Sequence, residues 1–196
     1  LTLNSTNSEL SAGVSNVANL TVSGNSTLNG TIATSGNQSY GGQAKLVGNT
    51  TLTSGAGAIN LSGGVNNGSV TLSVGDVNQT GSVFMGGMQV RHLEVGTGAF
   101  DIEMNGTMHL TTNQTAPTEF KNTGNLTLYG QGSSFFGGSD ATSTSQTYVA
   151  GCLATFGQDI TLGDVTMLNS SFTNRFDTRW TQTFGATANG GNITIN

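Results

Sequence analysis

Apolar and polar residues swap places one at a time in short bursts: Leu20-Thr21-Val22, Ala58-Ile59-Asn60-Leu61, Val70-Thr71-Leu72-Ser73-Val74, Leu93-Glu94-Val95 and Phe100-Asp101-Ile102-Glu103-Met104. Leu126-Thr127-Leu128 and Ile193-Thr194-Ile195 repeat the pattern. A period of two marks a strand with one face turned inward. Between the bursts stand Gly63-Gly64, Asn66-Asn67-Gly68, Gly86-Gly87, Gly137-Gly138 and Gly190-Gly191, which supply the left-handed backbone that tight corners need. The best helical candidate is Phe172, Phe176, Trp180 and Phe184, spaced every four residues. That spacing fits a helix face and also one face of a strand. The Thr and Asn between them favour strand, with Arg175, Asp177 and Arg179 on the opposite face and the aromatics forming a cap or core plug.

Many short strands build either a sandwich or barrel, or a solenoid of coils about 20 residues long. Triplets of the Leu-Thr-Val type begin near Leu20, Ile59, Leu72, Leu93, Leu126 and Ile193, without a strict period. Composition favours the solenoid. Only 8% of residues are charged, against about 25% in an ordinary soluble domain. Polarity comes instead from 20 Ser, 31 Thr and 21 Asn, beside 30 Gly. Stacked coils set like residues above one another, where like charges repel and hydroxyls and amides hydrogen-bond. The expected fold is all-β and solenoidal. Residues 1–129 form its coils, and residues 130–196 either continue it or make an irregular, aromatic-rich capping or assembly segment.

Residues 38–65 carry a more specific pattern. Gln38-Ser39-Tyr40-Gly41-Gly42 leads through Leu46 to Thr50-Thr51-Leu52-Thr53-Ser54, then to Gly57-Ala58-Ile59-Asn60-Leu61-Ser62-Gly63 and Val65. This resembles the repeats of filamentous-haemagglutinin-like adhesins, large exported bacterial proteins. The close likeness covers about 30 residues, and its looser style (Asn-Leu-Thr-Val, Asn-Ile-Thr-Ile) runs through the chain. Residues from about Gly130 to Thr187 depart from it. The resemblance implies a right-handed parallel β-helix, secretion, surface attachment and adhesion. It transfers no catalytic residues, because the repeat consists of scaffold positions.

Five Lys and Arg in a chain of net charge -5 give no phosphate-binding footprint, so no nucleic-acid partner is expected. No run of 18 apolar residues stands ready to enter a bilayer as a helix. The chain opens Leu1-Thr2-Leu3 with no Met or signal peptide, and is expected to be a mature or excised piece. Cys152, the only cysteine, is expected to be a small buried hydrophobe.

Paired carboxylates or an activated nucleophile would mark an enzyme. The densest ionisable group is Arg91, His92, Glu94, Asp101, Glu103 and His109. With Leu93, Val95, Phe100, Ile102 and Met104 inward, the patch His92, Glu94, Asp101, Glu103 and His109 is expected outward. His92 and His109 are close to one coil apart, so the patch would cross neighbouring coils as a weak site for a divalent ion or glycan, or as a solvated surface. No nucleophile elbow, HExxH, P-loop, CxxC or calcium-loop motif occurs. Neither an enzyme nor a cofactor is therefore expected.

Fourteen of the 21 Asn head an Asn-x-Ser/Thr sequon: Asn4, Asn19, Asn25, Asn29, Asn37, Asn49, Asn60, Asn67, Asn78, Asn105, Asn113, Asn125, Asn169 and Asn192. Chance gives roughly five or six for this content of Ser and Thr. Dense N-glycosylation would account for the excess, and so would strand geometry, with Asn at a corner and Thr returning two residues later. Strand-like segments at both ends suggest either a fragment or end-to-end strand pairing.

The expected function is thus non-enzymatic: an extracellular, cell-surface structural or adhesive segment of a filament. Its partners are itself (an end-to-end homopolymer or neighbouring coils) and host or matrix glycans. The alternatives are a glycan- or ice-binding module, which needs strict Thr-x-Thr rows, and a polysaccharide-active β-helix enzyme using Glu94, Asp101 and Glu103.

Overall fold

A computed structural model describes residues 1–110, 117–135, 137–155, 157–168, 175–177 and 193–195. Among them there is no helix, and every strand pairing is parallel. The chain winds into stacked coils of a β-solenoid. Leu20 lies beside Gln38, 18 residues on, whereas Met108 lies beside Ser133, 25 residues on.

Each coil has three faces. The first is built by Thr2–Leu3, Leu20–Val22, Gln38–Tyr40, Ile59–Leu61, Val83–Met85 and Ile102–Asn105, continued by the start of Leu126–Phe135, the start of Thr147–Ala154, and Val165–Met167. The second begins with Asn7–Leu10 and runs through the opening residues of Asn25–Thr34, Ala44–Thr53, Val65–Val74 and Met88–Val95 to Met108–Leu110. The later residues of those long strands turn onto the third face. There the register shifts between Leu28 and Gly30, between Lys45 and Thr50, and between Val90 and His92. Thr118–Glu119, Ser139–Ala141, Ile160–Leu162 and Ile193–Ile195 form a further ladder of their own.

The alternation read from the sequence is the alternation of burial. Leu93, Val95, Phe100, Ile102 and Met104 are all buried, as are Leu20, Val22, Ile59, Leu61, Leu72 and Val74. In-register stacking turns them into columns such as Ile32–Leu52–Val74 and Leu61–Met85–Met104–Leu128. Each side chain is covered by the coils on both sides, and full burial of a Leu or Ile stabilises by about 1.5–3 kcal/mol. Later coils fill the wider interior with aromatics: Phe120 and Phe135 meet edge to face at 5.8 Å.

The interior also holds polar side chains. Tyr40 is fully buried, with its hydroxyl donating to Gln38 Oε1 at 3.0 Å, and burial pushes its phenol well above the usual range. Gln38 Nε2 donates to the carbonyls of Ile32 and Thr53 at 3.0 and 2.7 Å.

Cys152 departs from expectation. It is half-buried rather than buried. The register shift between Gly130 and Ser133, opposite Gly151 and Leu153, puts Ala150, Gly151 and Leu153 inside and turns Cys152 to the outer phase. Of the aromatic series, Phe176 stands in Arg175–Asp177, a strand paired with Cys152–Ala154. Phe172, Trp180 and Phe184, with Arg179, lie outside the described residues.

Candidate functional site: the lateral faces and their grooves

Parallel stacking in register means that each outward position becomes a row along the solenoid, one side chain every 4.7–4.9 Å or so. On the second face the row runs Thr27, Lys45, Asn66, Gln89, His109. On the third it runs Thr31, Thr51, Ser73, Glu94, with Glu119, Asp140 and Thr161 further along. On the first it runs Thr21, Ser39, Asn60, Phe84, Glu103, Thr127, Tyr148. Thr therefore recurs in these rows without making an unbroken flat Thr surface.

The register also locates the ionisable residues singled out in the sequence, and they do not share a face. One coil before His109 stands Gln89 rather than His92. His92 lies past the corner, above Thr71 on the third face with Glu94. Glu103 is on the first face, between Phe84 and Thr127. Asp101 sits at the corner leading into that face, where its Oδ1 accepts the backbone N–H of Asn125 at 2.7 Å. Glu94 and Asp101 are exposed, and His92, Glu103 and His109 are half-buried. Among the described residues, no group of three or more His, Cys, Asp or Glu is placed to hold a metal ion.

What the structure brings together was not evident from sequence. On the third face a cavity of about 350 Å³ is lined by Ser73, His92, Glu94, Pro117, Glu119 and Lys121, among others. Its polar groups largely answer one another. Ser73 Oγ donates to Glu94 Oε2 at 2.7 Å, and Lys121 Nζ sits 2.8 Å from Glu119 Oε2. The Glu119 hydrogen bond, helped by the charges of Glu119 and Glu94, raises the Lys121 ammonium above its ordinary pKa. Both partners of that pair are about half exposed, so it positions more than it stabilises. Among the described residues His92 Nδ1 has no hydrogen-bond partner.

The second face carries two cavities, of about 480 and 260 Å³, that share Asn66 and Gln89. One edge is the corner Ser62-Gly63-Gly64 with Gly87 and Thr107; the other is Asn67-Gly68. The second edge exists because the chain takes more residues to turn there in one coil than in the next. Asn67 pairs with Val90 and Thr71 with His92, so Gly68, Ser69 and Val70 take the place that Arg91 alone fills in the next coil, with Val70 packed back against the core.

The sequons have a structural explanation. In Asn19-Leu20-Thr21, Asn37-Gln38-Ser39 and Asn125-Leu126-Thr127 the first residue is at the corner, the second is buried, and the third is outward on the first face. The corner amides tie successive coils. Asn19 Oδ1 accepts from Asn37 N at 2.9 Å, and Asn37 Oδ1 from Ala58 N at 2.9 Å. Asn25 Oδ1 accepts from Gln43 N at 3.0 Å, and Asn49 Oδ1 from Thr71 N at 3.0 Å. Asn4 Oδ1 accepts from the Ser23 hydroxyl, and Asn60 Oδ1 from Ser62 N within its own turn. Asn67 uses both ends of its amide, donating to Leu46 O and accepting from Ser69 N. Asn29, Asn78, Asn105 and Asn125 also lie outside the core, while Asn113, Asn169 and Asn192 fall outside the described residues.

No protein-family model matches this chain, and no match was found among curated proteins or among solved structures. The pattern in residues 38–65 is therefore a likeness in sequence style carried by a β-solenoid, without a family assignment.

Proposed function

We propose that this chain is an extracellular structural and adhesive element, a segment of a cell-surface filament or filamentous-haemagglutinin-like adhesin that acts without catalysis. The observation that carries this reading is the parallel ladder that runs from Thr2–Leu3 to Val165–Met167 along the first face, in a surface of hydroxyls and amides. Such a rod is stiff because each coil is bonded to the next over its faces. Its surface is polar without being ionic, which keeps stacked rows free of like-charge repulsion. Among the described residues the first-coil strands Thr2–Leu3, Asn7–Leu10 and Val14–Val17 are paired on one side only. A further coil, of the same chain or of a second copy, would add there by strand augmentation. Outward Asn such as Asn19, Asn25 and Asn37 leave the amide nitrogen clear of the coil-to-coil bond, so a glycoprotein surface is compatible with the ladder.

Electron microscopy with intact-mass measurement on natively purified protein tests this. The expected result is filaments of regular axial repeat, with a subunit mass above 19.9 kDa if the sequons carry sugar. Isolated particles at all concentrations would overturn the filament. A second reading, a glycan-binding module, is favoured by the second-face groove. An enzyme using Glu94, Asp101 and Glu103 has less support, because the register spreads these carboxylates over two faces and a corner. Turnover on a polysaccharide panel, lost when those acids are replaced, would reinstate it.

A further inference from the structure

We infer that the second-face groove is a binding site for a carboxylate-bearing oligosaccharide lying along the solenoid axis. The inference rests on the adhesive part of the proposed function and names its ligand class. Four successive outward side chains of the row are involved: Lys45, Asn66, Gln89 and His109, each in register with the next, with Thr27 between Lys45 and Glu9 at the row's other end. These four span three rungs, about 14 Å at about 4.8 Å per rung. That advance per rung is close to the advance per residue of an extended pyranose chain, so successive sugars meet equivalent positions. The two cavities over this row lie side by side, with Asn66 and Gln89 in both linings, Lys45 in one and His109 in the other.

The chemistry selects the ligand. Lys45, Asn66 and Gln89 are exposed, and among the described residues their side-chain nitrogens donate to nothing in the protein. They are donors awaiting acceptors: amides for hydroxyl and ring oxygens, and an ammonium for a carboxylate, where a charge-assisted bond is roughly twice as strong as a neutral one. No carboxylate lines either cavity. This lack is local, because the third-face cavity carries Glu94 and Glu119, and its one ammonium is already held by Glu119. An acidic sugar would be repelled there and find no free cation. One wall of the second-face groove is also low. Gly63, Gly64 and Gly87 present backbone rather than side chains, which lets a sugar ring approach closely.

The test titrates tetragalacturonate, and its methyl ester as an uncharged analogue of the same shape, into the purified chain by calorimetry. Three variants accompany it. Lys45→Gln removes the cation from an exposed position. Gly87→Thr narrows the groove, because a Cβ there meets nothing closer than Thr107 O at 3.6 Å. Lys121→Gln alters the third-face cavity instead. The expected result is binding of the acid over its ester, weakened about tenfold or more by Lys45→Gln, also weakened by Gly87→Thr, and unchanged by Lys121→Gln. No binding, equal binding of acid and ester, or loss through Lys121→Gln alone would overturn the inference. Electron microscopy of the same samples separates the two claims. Filaments that bind no acidic sugar sink the groove only, and particles that bind it without assembling sink the filament only.

Discussion

Between the first and second faces the chain turns in residues 23–24, 41–43, 62–64 and 86–87; between the third face and the next coil it turns in 35–37, 54–58, 75–82 and 96–101. The first corner hardly changes length, and the second varies from coil to coil. At the first, backbone lies on backbone: a Cβ on Gly24, Gly42 or Gly63 would run into the main chain of the coil before it. The second corner has such glycines too, at Gly57 and Gly81. It adds buried hydroxyls that donate to carbonyls of the turn, whereas the buried Ser26 hydroxyl beside the first corner has no hydrogen-bond partner among the described residues. Thr34 donates to Gly36 O, Ser54 to Gly57 O, and Thr144 to Ala141 O. A corner of fixed length can be closed by glycine alone. One that lengthens opens a space containing backbone carbonyls that need donors, and a side chain must supply them.

Gly63→Ala is expected to have the largest effect. The added methyl would overlap the Gly42 carbonyl carbon and oxygen, and neither can move without breaking the ladder that holds Ala44 to Val65. A loss of about 3 kcal/mol or more is expected, read from chemical or thermal unfolding. Gly87→Ala, in the same corner but with open space at its Cβ, should stay within about 1 kcal/mol of the parent. Equal behaviour of the two variants would break the claim that backbone contact fixes this corner.

Gln79→Leu probes the other corner. Gln79 is fully buried. Its Oε1 accepts from Ser54 N at 2.8 Å, and the two hydrogens of its Nε2 are shared among Gly57 O, Gly81 O and Ser54 Oγ at 2.9, 2.7 and 2.8 Å. One amide thus ties its own eight-residue turn to the shorter one below. Leucine keeps most of the volume and leaves Ser54 N–H and the carbonyls without those partners, at a cost of about 2 kcal/mol. Hydrogen exchange should show the Ser54 amide opening first. Unchanged protection at Ser54 would mean that packing, not hydrogen bonding, closes the longer corner.

The same contrast explains what could be read beforehand. Gly63-Gly64 and Gly86-Gly87 were visible as corners because glycine pairs between alternating bursts have few other uses, and Gly64 does take a left-handed φ of 83°. The inward phase of Leu93, Val95, Phe100, Ile102 and Met104 was legible because a strand's period of two has no slack. The coil length was not, since residues 54–58 and 75–82 turn the same corner with different numbers of residues. That slack displaced the candidate patch: without the register, His92 and His109 pass for neighbours, whereas Gln89 is the neighbour of His109. The burial of Gln79 was invisible for a related reason. Its need for a partner is met by Ser54 and Gly57, 25 and 22 residues earlier, and no local pattern announces which coil lies beneath. The groove beside Lys45 depends on unevenness at another corner, where Gly68, Ser69 and Val70 lie opposite Arg91, and was equally hidden.

The smallest expected effect concerns the exposed edge of the second corner, where Asn37 Oδ1 accepts the Ala58 N–H. Asn37→Ala leaves that half-buried donor to water and should cost about 1 kcal/mol. Asn37→Asp should cost much less, because the bond needs only an acceptor. Asp101 fills the corresponding role three coils later, taking Asn125 N–H at 2.7 Å. Asn37→Asp also abolishes the sequon, so the pair separates the two explanations for the abundance of Asn. If the corner bond is what this position requires, Asn37→Asp keeps parental unfolding behaviour in protein made without glycosylation, and Asn37→Ala does not. If both variants match the parent there, the Asn37 amide contributes nothing measurable to stacking, and attachment of sugar becomes the better account of why Asn stands at that corner.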